Sequence, residues 1–549
     1  MSRKYLSVDR DQPMMLAEDM RLWVDAGHLV WFVIEVIEGL DPAPLRSLGK
    51  PGKGRRGYDP VMLAVLLIYS YLQGERSSRK IEQRCRTDAA FRVATGNRIP
   101  DHSTICRFRA GAAAEDGPLE DLFTQVLFVL AAAGLGRLDV ISVDGSKVWA
   151  HASKEANRTE NGLRKLARKI LEEAARADGE DCGCDGHEHG EAAGLDGPPA
   201  CGCCDGGMLP GLGLDGPAVP RGGWGGASRA QRIAAGLADL EASRLAREGE
   251  RRAAADAYLA AARDGTAPRG SVPAAVAVEV AQIRLEQALD KDASTDARWA
   301  AAGRALPGRR RAGQDSAAVR KARRRLDAAV QSRAESRAAA AAARDSGKTP
   351  QPVRNITDPD SRLMHCTLRG LVQSYNAQCR RTRDGVYLLP RVVQDPNDAR
   401  QVQTAIEDIG RSRQVIAAGH AAGGHPGTWS AAGTLLFDPG YFSKDNLELD
   451  GPDRLIGTSG GWKDTTARHG PGCTHDDPRD QMACNLSTRQ GRDLYRHRAP
   501  LSEGGFAELK GRTGLRQLAM RGLARAQGEL LLATGALNIH LLYRRTRQA

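Results

Sequence analysis

The chain has 549 residues, too many for one ordinary apolar core, so two or three folding units are expected. Lys and Arg number 79 against 67 Asp and Glu, and this net charge of +12 favours an anionic polymer as partner. Aromatic residues are only 5%, which argues against broad stacking platforms for single strands. The longest apolar run, Val61 to Leu72, falls short of the roughly 20 residues a membrane span requires, so no membrane partner is expected. Met1 to Asp9 is polar and holds no signal segment, and a cytoplasmic location is the expectation.

From about residue 15 to 134 the pattern is helical. Asp59-Pro60 opens the apolar helix Val61 to Leu72, and Ser77 or Ser78 is placed to cap the basic helix Arg79 to Arg86. Asp88 caps a further short helix that Gly96-Asn97 ends, and Pro100 to Ser103 starts one carrying Arg107 and Arg109. Short helices with tight turns and basic faces suit a helix-turn-helix-like reader of double-stranded DNA, with Arg107 and Arg109 as candidate contacts. They also suit an ordinary bundle with solvated basic residues.

Leu138 to Val143 alternates and is β-branched, predicting a strand that ends at Asp144-Gly145. Residues 156–354 then read as a helical insertion poor in core-forming side chains. Long helices are predicted at Arg229 to Arg263 and Val272 to Ala343, the second broken at Pro307-Gly308, as a coiled-coil-like arm. Strand pattern returns at Gly370 to Ala377 and Val386 to Val393, followed by a helix from Ala399 to Ile409 and a strand from Thr434 to Phe437. The predicted organisation is a helical DNA-binding domain over 1–134, an α/β domain from 135–155 plus 355–549, and the insertion between them. Removing the insertion leaves Asp144 and Asp438 close enough along the chain to meet inside one compact domain.

Two aspartates at strand ends, Asp144 and Asp438, and Glu503 among basic residues are what a pair of divalent cations at a phosphodiester requires. Magnesium takes oxygen ligands and keeps several waters, so a few carboxylates suffice. Each residue also has a plainer reading. Asp144-Gly145-Ser146 and Asp438-Pro439-Gly440 are good turn sequences, and Glu503 with Lys510, seven apart, is an ordinary solvated helix face. Asp398 reads as a helix N-cap, and Asp360 is the alternative acid should Asp144 not serve.

In combination the chain resembles bacterial insertion-sequence transposases of the DDE type, with an RNase H-like core and an InsH-like N-terminal domain. The matching stretches are Asp9 to Gln12, Tyr58-Asp59-Pro60, Arg76 to Asp88, Phe91 to Val93 and Pro100 to Ile105. They continue through Asp144-Gly145-Ser146, Asn355 to Arg362, Tyr375 to Gln378, Pro396-Asn397-Asp398 and Asp438 to Ser443. Tyr495 to Lys510, Arg521-Gly522 and Asn538 complete them.

The resemblance implies that Asp144, Asp438 and Glu503 bind two Mg²⁺ or Mn²⁺ ions. Tyr495, Arg498, Glu503 and Lys510 match the family's Tyr-Arg-Glu-Lys signature, whose basic members hold the DNA end, and Arg512 lies beside them. Arg498 departs by one position in its spacing from Glu503, and Gly504-Gly505 weaken the helix there, so that helix is expected to begin after them or to order on binding DNA and metal. The implied activity is cleavage at the terminal inverted repeats of the element and transfer of the 3′-hydroxyl ends to target DNA, by a homodimer on DNA. The alternatives are a catalytically inactive repressor derived from such an enzyme and a metal-dependent nuclease that does not join strands.

Within the insertion, residues 182–226 are rich in Gly, Cys and His. Cys182, Cys184, His187, His189, Cys201, Cys203 and Cys204 offer a candidate structural zinc site, although Cys-x-Cys spacing and the surrounding glycines give it no preformed frame.

Overall fold

A computed structural model describes residues 19–48, 57–114, 117–181, 228–266, 271–303, 314–345, 351–366, 369–425, 433–458 and 476–548. The candidate zinc ligands, the Asp9 to Gln12 stretch and the Pro307-Gly308 break lie outside them.

Eight strands occur among the described residues: β1 (Val140–Trp149), β2 (Asn157–Thr159), β3 (Val353–Asn355), β4 (Arg362–Cys366), β5 (Gly370–Thr382), β6 (Arg391–Val393), β7 (Thr434–Phe437) and β8 (Arg454–Ile456). The main sheet is mixed, in the order β4-β5-β1-β7-β8, with β6 pairing a separate stretch of β5. β5 runs antiparallel to β1, β4 and β6, whereas β7 runs parallel to β1 and β8 parallel to β7. β1 does not stop at Asp144 as its Asp-Gly pair suggested; it pairs with β5 as far as Trp149. Val386 to Leu389 forms no named strand, although it meets β5 through the bridge Arg381–Tyr387 and the bond from the Leu388 N–H to the Arg380 carbonyl.

Side chains alternate across a strand, so β1 presents Val140, Ser142, Asp144 and Ser146 to one face and Ile141, Val143 and Gly145 to the other. On the second face Ile141, Val143, Leu435, Phe437 and Ile456 join the large apolar core. On the first, Val140, Leu436, Leu455 and Met482 form a smaller cluster closed by Leu494, Tyr495 and Leu501.

The large core continues across residue 134. Its centre is the helix Leu523–Thr546, in which Leu530 to His540 are all buried. The helix Pro60–Leu72 and the helix Leu119–Ala132 both pack on it. Asp59 accepts from the Val61 N–H, Asp88 from the Ala90 N–H and Asp101 from the Ser103 N–H, so three carboxylates start three of the short N-terminal helices. Ser77 stands at the start of the helix Ser78–Thr87 without a side-chain capping bond.

The insertion leaves and returns through the antiparallel ribbon β2–β3, which joins its two ends side by side. Its described residues form two helix pairs. Glu160–Asp181, which lacked a clear sequence signal, packs on Arg229–Arg263, and Ala277–Ala301 packs on Ala317–Asp345. The apolar contacts are thin: Leu163, Ile233 and Leu240 cluster within the first pair, and Ala255, Ala262, Val276 and Val280 cluster where Arg229–Arg263 meets the start of Ala277–Ala301. Asp239 pairs with Arg354 of β3 and ties the insertion to the main body through its ion pair with Arg362. No helix among the described residues is long and apolar enough to cross a membrane.

The turn Asp358-Pro359-Asp360 fixes the start of the last helix. Gly522, at φ 98°, has no side chain to cap it. Asp358 accepts instead from the Gly522 N–H at 3.1 Å and the Tyr375 hydroxyl at 2.8 Å, and Asp360 accepts from the Leu523 N–H at 2.9 Å. Burial pushes the Asp358 carboxyl up to about 7 from an ordinary 3.8. The folded state therefore holds this proton where the unfolded chain releases it, and the contribution of Asp358 to stability falls as pH rises from about 4 to about 7. Asp358→Asn cannot titrate, so the stability of the variant relative to the parent should rise over that window by a few kcal/mol, on the order of 1.4 per pKa unit. Urea unfolding at pH 5 and pH 8 measures it, and an unchanged difference would contradict the assignment.

Candidate active site

The parallel register of β1 on β7 places Ser142 beside Leu436, and two residues further along each strand come Asp144 and Asp438, on the same face. Asp144 senses the charge of Asp438. Burial first, then the Asp438 charge, pushes Asp144 up to about 6, and burial also raises Asp438 against the Gly440 N–H that it accepts at 2.9 Å.

Facing them is the helix Arg498–Gly511. It lies on β1 through Ser142 and Ser502, whose hydroxyls are 2.5 Å apart, and through Lys510, which donates to the Ser146 hydroxyl at 2.5 Å. The helix is continuous through Gly504-Gly505, contrary to the expectation that it begins after them. The reason is close packing: the Tyr387 hydroxyl donates to the Gly505 carbonyl at 2.7 Å, and a Cβ at Gly505 would come within 3.1 Å of Arg381. Two glycines cost a helix about 1 kcal/mol each, and here that loss permits contact with the sheet.

Arg498 lies between the acids, its guanidinium 3.6 Å from Asp144 and 3.9 Å from Glu503. Glu503 is 74% exposed where Asp144 is 17% exposed. The structure thus brings the two aspartates together and leaves Glu503 on the other side of Arg498. Among the described residues, no three His, Cys, Asp or Glu side chains stand close enough to hold a metal ion. The chemistry of the donors nevertheless suits one: all three groups are carboxylates, the kind of ligand a hard divalent cation takes, and Asp144 and Asp438 stand as neighbouring acids on adjacent strands.

The Tyr495 hydroxyl donates to the Phe437 carbonyl at 3.0 Å, which ties the segment before this helix to the end of β7, one residue from Asp438. Lys510 sits over the Phe506 ring at 5.6 Å, and burial lowers its pKa. Arg512 is exposed just beyond the helix, and Arg107 is exposed on the N-terminal helix His102–Ala112.

Arg109 requires correction as a DNA contact. It is 4% exposed, donating to the Arg76 carbonyl at 2.5 Å and the Ser78 hydroxyl at 3.3 Å. Arg76 in turn donates to the Gly514 carbonyl at 2.7 Å and pairs with buried Glu529 at 3.8 Å. These arginines fasten the N-terminal helices to the C-terminal part of the chain and do not face solvent together.

Asp398 was explained by sequence as a helix cap. It stands at the start of the short 3-10 turn Ala399–Gln401 but makes no side-chain capping bond. Its carboxylate accepts from the Asn376 and Gln378 amides, each at 2.7 Å, and lies 3.8 Å from the Lys147 ammonium. Tyr441 completes the group by donating to Gln378 at 2.7 Å. The missed signal was the pair Asn376 and Gln378, two polar residues on one face of a buried strand.

Residues 18–111 match the family described as Transposase domain (DUF772), and residues 465–543 match the family described as Transposase DDE domain. The second match contains Tyr495, Arg498, Glu503 and Lys510. No curated protein and no solved structure matches the chain.

Replacing Arg109 with Met should remove its buried bonds to the Arg76 carbonyl and the Ser78 hydroxyl and cost about 2–3 kcal/mol of stability. Replacing exposed Arg107 with Ala should change stability by no more than about 0.5 kcal/mol. Urea denaturation of both variants checks the contrast, and equal effects would contradict it.

Proposed function

We propose that this chain, which belongs to the insertion-sequence transposases of the DDE type, cuts DNA at the terminal inverted repeats of its own element and joins the freed 3′ ends to target DNA. The observation that carries the reading is the pair Asp144 and Asp438 at matching positions of adjacent parallel strands, opposite the helix that bears Arg498, Glu503 and Lys510. The order of β6, β5, β1, β7 and β8, antiparallel on one side of β1 and parallel on the other, supports an RNase H-like core.

Asp144, Asp438 and Glu503 would hold divalent cations, Mg²⁺ or Mn²⁺. When bound, such ions supply activation of the attacking water or hydroxyl and charge neutralisation at the leaving oxygen. Asp144 and Asp438 are fixed in position by the strands that carry them. Glu503 is exposed and free to turn inward from the helix. Arg498 offsets the negative charge of Asp144 and Glu503, and swings toward a phosphate when those acids take another partner. Lys510, held at Ser146 one turn and a half along the same helix from Gly505, points its ammonium along the face where a DNA backbone would run. Tyr495 holds the start of this segment against β7.

Double-stranded DNA is the partner, bound through exposed basic residues that include Arg107 and Arg512. Two element ends must be brought together, which calls for a homodimer on DNA, and the insertion is a candidate for contact with the second copy or the DNA.

Asp144→Asn, Asp438→Asn and Glu503→Gln should each lower Mg²⁺-dependent nicking of supercoiled plasmid carrying the element ends by at least about a hundredfold. Binding to the ends in a mobility-shift assay should survive. Binding by the parent without nicking would support a repressor, and nicking without joining of pre-cut ends would support a simple nuclease.

A further inference from the structure

The sheet carries a second charged group on the side opposite the helix Arg498–Gly511, directly behind Asp144. A Cβ added at Gly145 would overlap both the Gln378 amide and the Asp398 carboxylate, so the missing side chain at Gly145 is what lets Asp398 approach β1. There the Asp398 Oδ1 accepts from Asn376 and Gln378, which are fixed on β5 opposite Lys147 and Gly145. Asn376 is further held by the Asp395 carbonyl, and Gln378 by the Tyr441 hydroxyl. Asn376, Gln378 and Tyr441 are fully or almost fully buried. Such a connected set of buried amides does not serve a surface turn, because each amide would cost free energy if left without a partner.

The charge of this group reaches the acid pair. Asp398 lies against Gly145, the residue next to Asp144, and Lys147 follows on the same strand, so a negative and a positive charge both stand close behind the pair. Lys147 lies three residues beyond Asp144 on the same strand, its ammonium 3.8 Å from Asp398.

We propose that Asp398 and Lys147 are positioning residues that set the affinity of the Asp144–Asp438 pair for a divalent cation. The Asn376–Gln378–Tyr441 chain holds Asp398 at a fixed depth behind Gly145. Asp398 adds negative potential at the pair without contacting the cation, and Lys147 subtracts from it. This rests on the metal-binding reading of Asp144 and Asp438.

The test is Mn²⁺ binding to the full chain without DNA, followed by the loss of the free-ion electron paramagnetic resonance signal. Asp398→Asn should weaken binding roughly fivefold to tenfold, the effect of removing one charge several ångströms away. Lys147→Met should tighten binding by a similar factor. The opposite signs separate this role from a structural one, since a folding defect would weaken binding in both variants. Wild-type affinity in Asp398→Asn, or a loss as complete as in Asp144→Asn, would overturn the positioning role while leaving the metal reading intact. Weakened or unchanged binding in Lys147→Met would also overturn it. Absence of Mn²⁺ binding by the parent, or parent-like binding by Asp144→Asn, would overturn the metal reading and this inference together.

Discussion

The parallel pairing of β1 with β7 is the constraint on which the site depends. It brings together residues nearly three hundred positions apart in the chain and gives them a common register, Val140 on Thr434 through Ser142 on Leu436. Asp144 and Asp438 follow at the same level on the same face, and a slip of one residue would turn Asp438 into the apolar core. The register is held by that core: Ile141, Val143, Leu435 and Phe437 are fully buried on the opposite face. Hydrophobic alternation therefore specifies the geometry of the charged pair, although neither aspartate contributes to the apolar burial.

Around this pair the chain accepts several locally unfavourable features. Two glycines lie inside the helix that carries Glu503, another lies within β1, and two aspartates are partly buried beside each other. Each is offset by a specific contact. Gly505 admits Tyr387 and Arg381, Gly145 admits Asp398, and Arg498 stands against Asp144. Natural sequences depart from local preference mainly where function requires it, and these departures fall within one small region.

Much of this was legible in the sequence. β7 follows the apolar run before Asp438 residue for residue, and the helix Pro60–Leu72 follows its apolar composition and its Asp-Pro start. The extent of β1 was not legible, because Asp-Gly-Ser has the composition of a turn and only the partners of Gly145 explain its place in a strand. β8 has three residues and no periodicity to detect. Arg109 was misread because burial of an arginine depends on Arg76, Tyr71 and Glu529, which are remote in sequence or in another helix. Asp398 was undervalued for a similar reason: its local setting explained a cap, and its partners lie on other strands.

The central claim is the proposal that Asp144, Asp438 and Glu503 would share divalent cations on DNA, with Glu503 turning in past Arg498. Fe²⁺ with ascorbate and peroxide generates hydroxyl radicals where the iron binds, and the resulting backbone cuts can be mapped by mass spectrometry. The account predicts cuts beside Asp144, Asp438 and Glu503 in the DNA-bound protein, suppressed by excess Mg²⁺. Cuts confined to other parts of the chain, or cuts at these three sites that Mg²⁺ does not suppress, would contradict it.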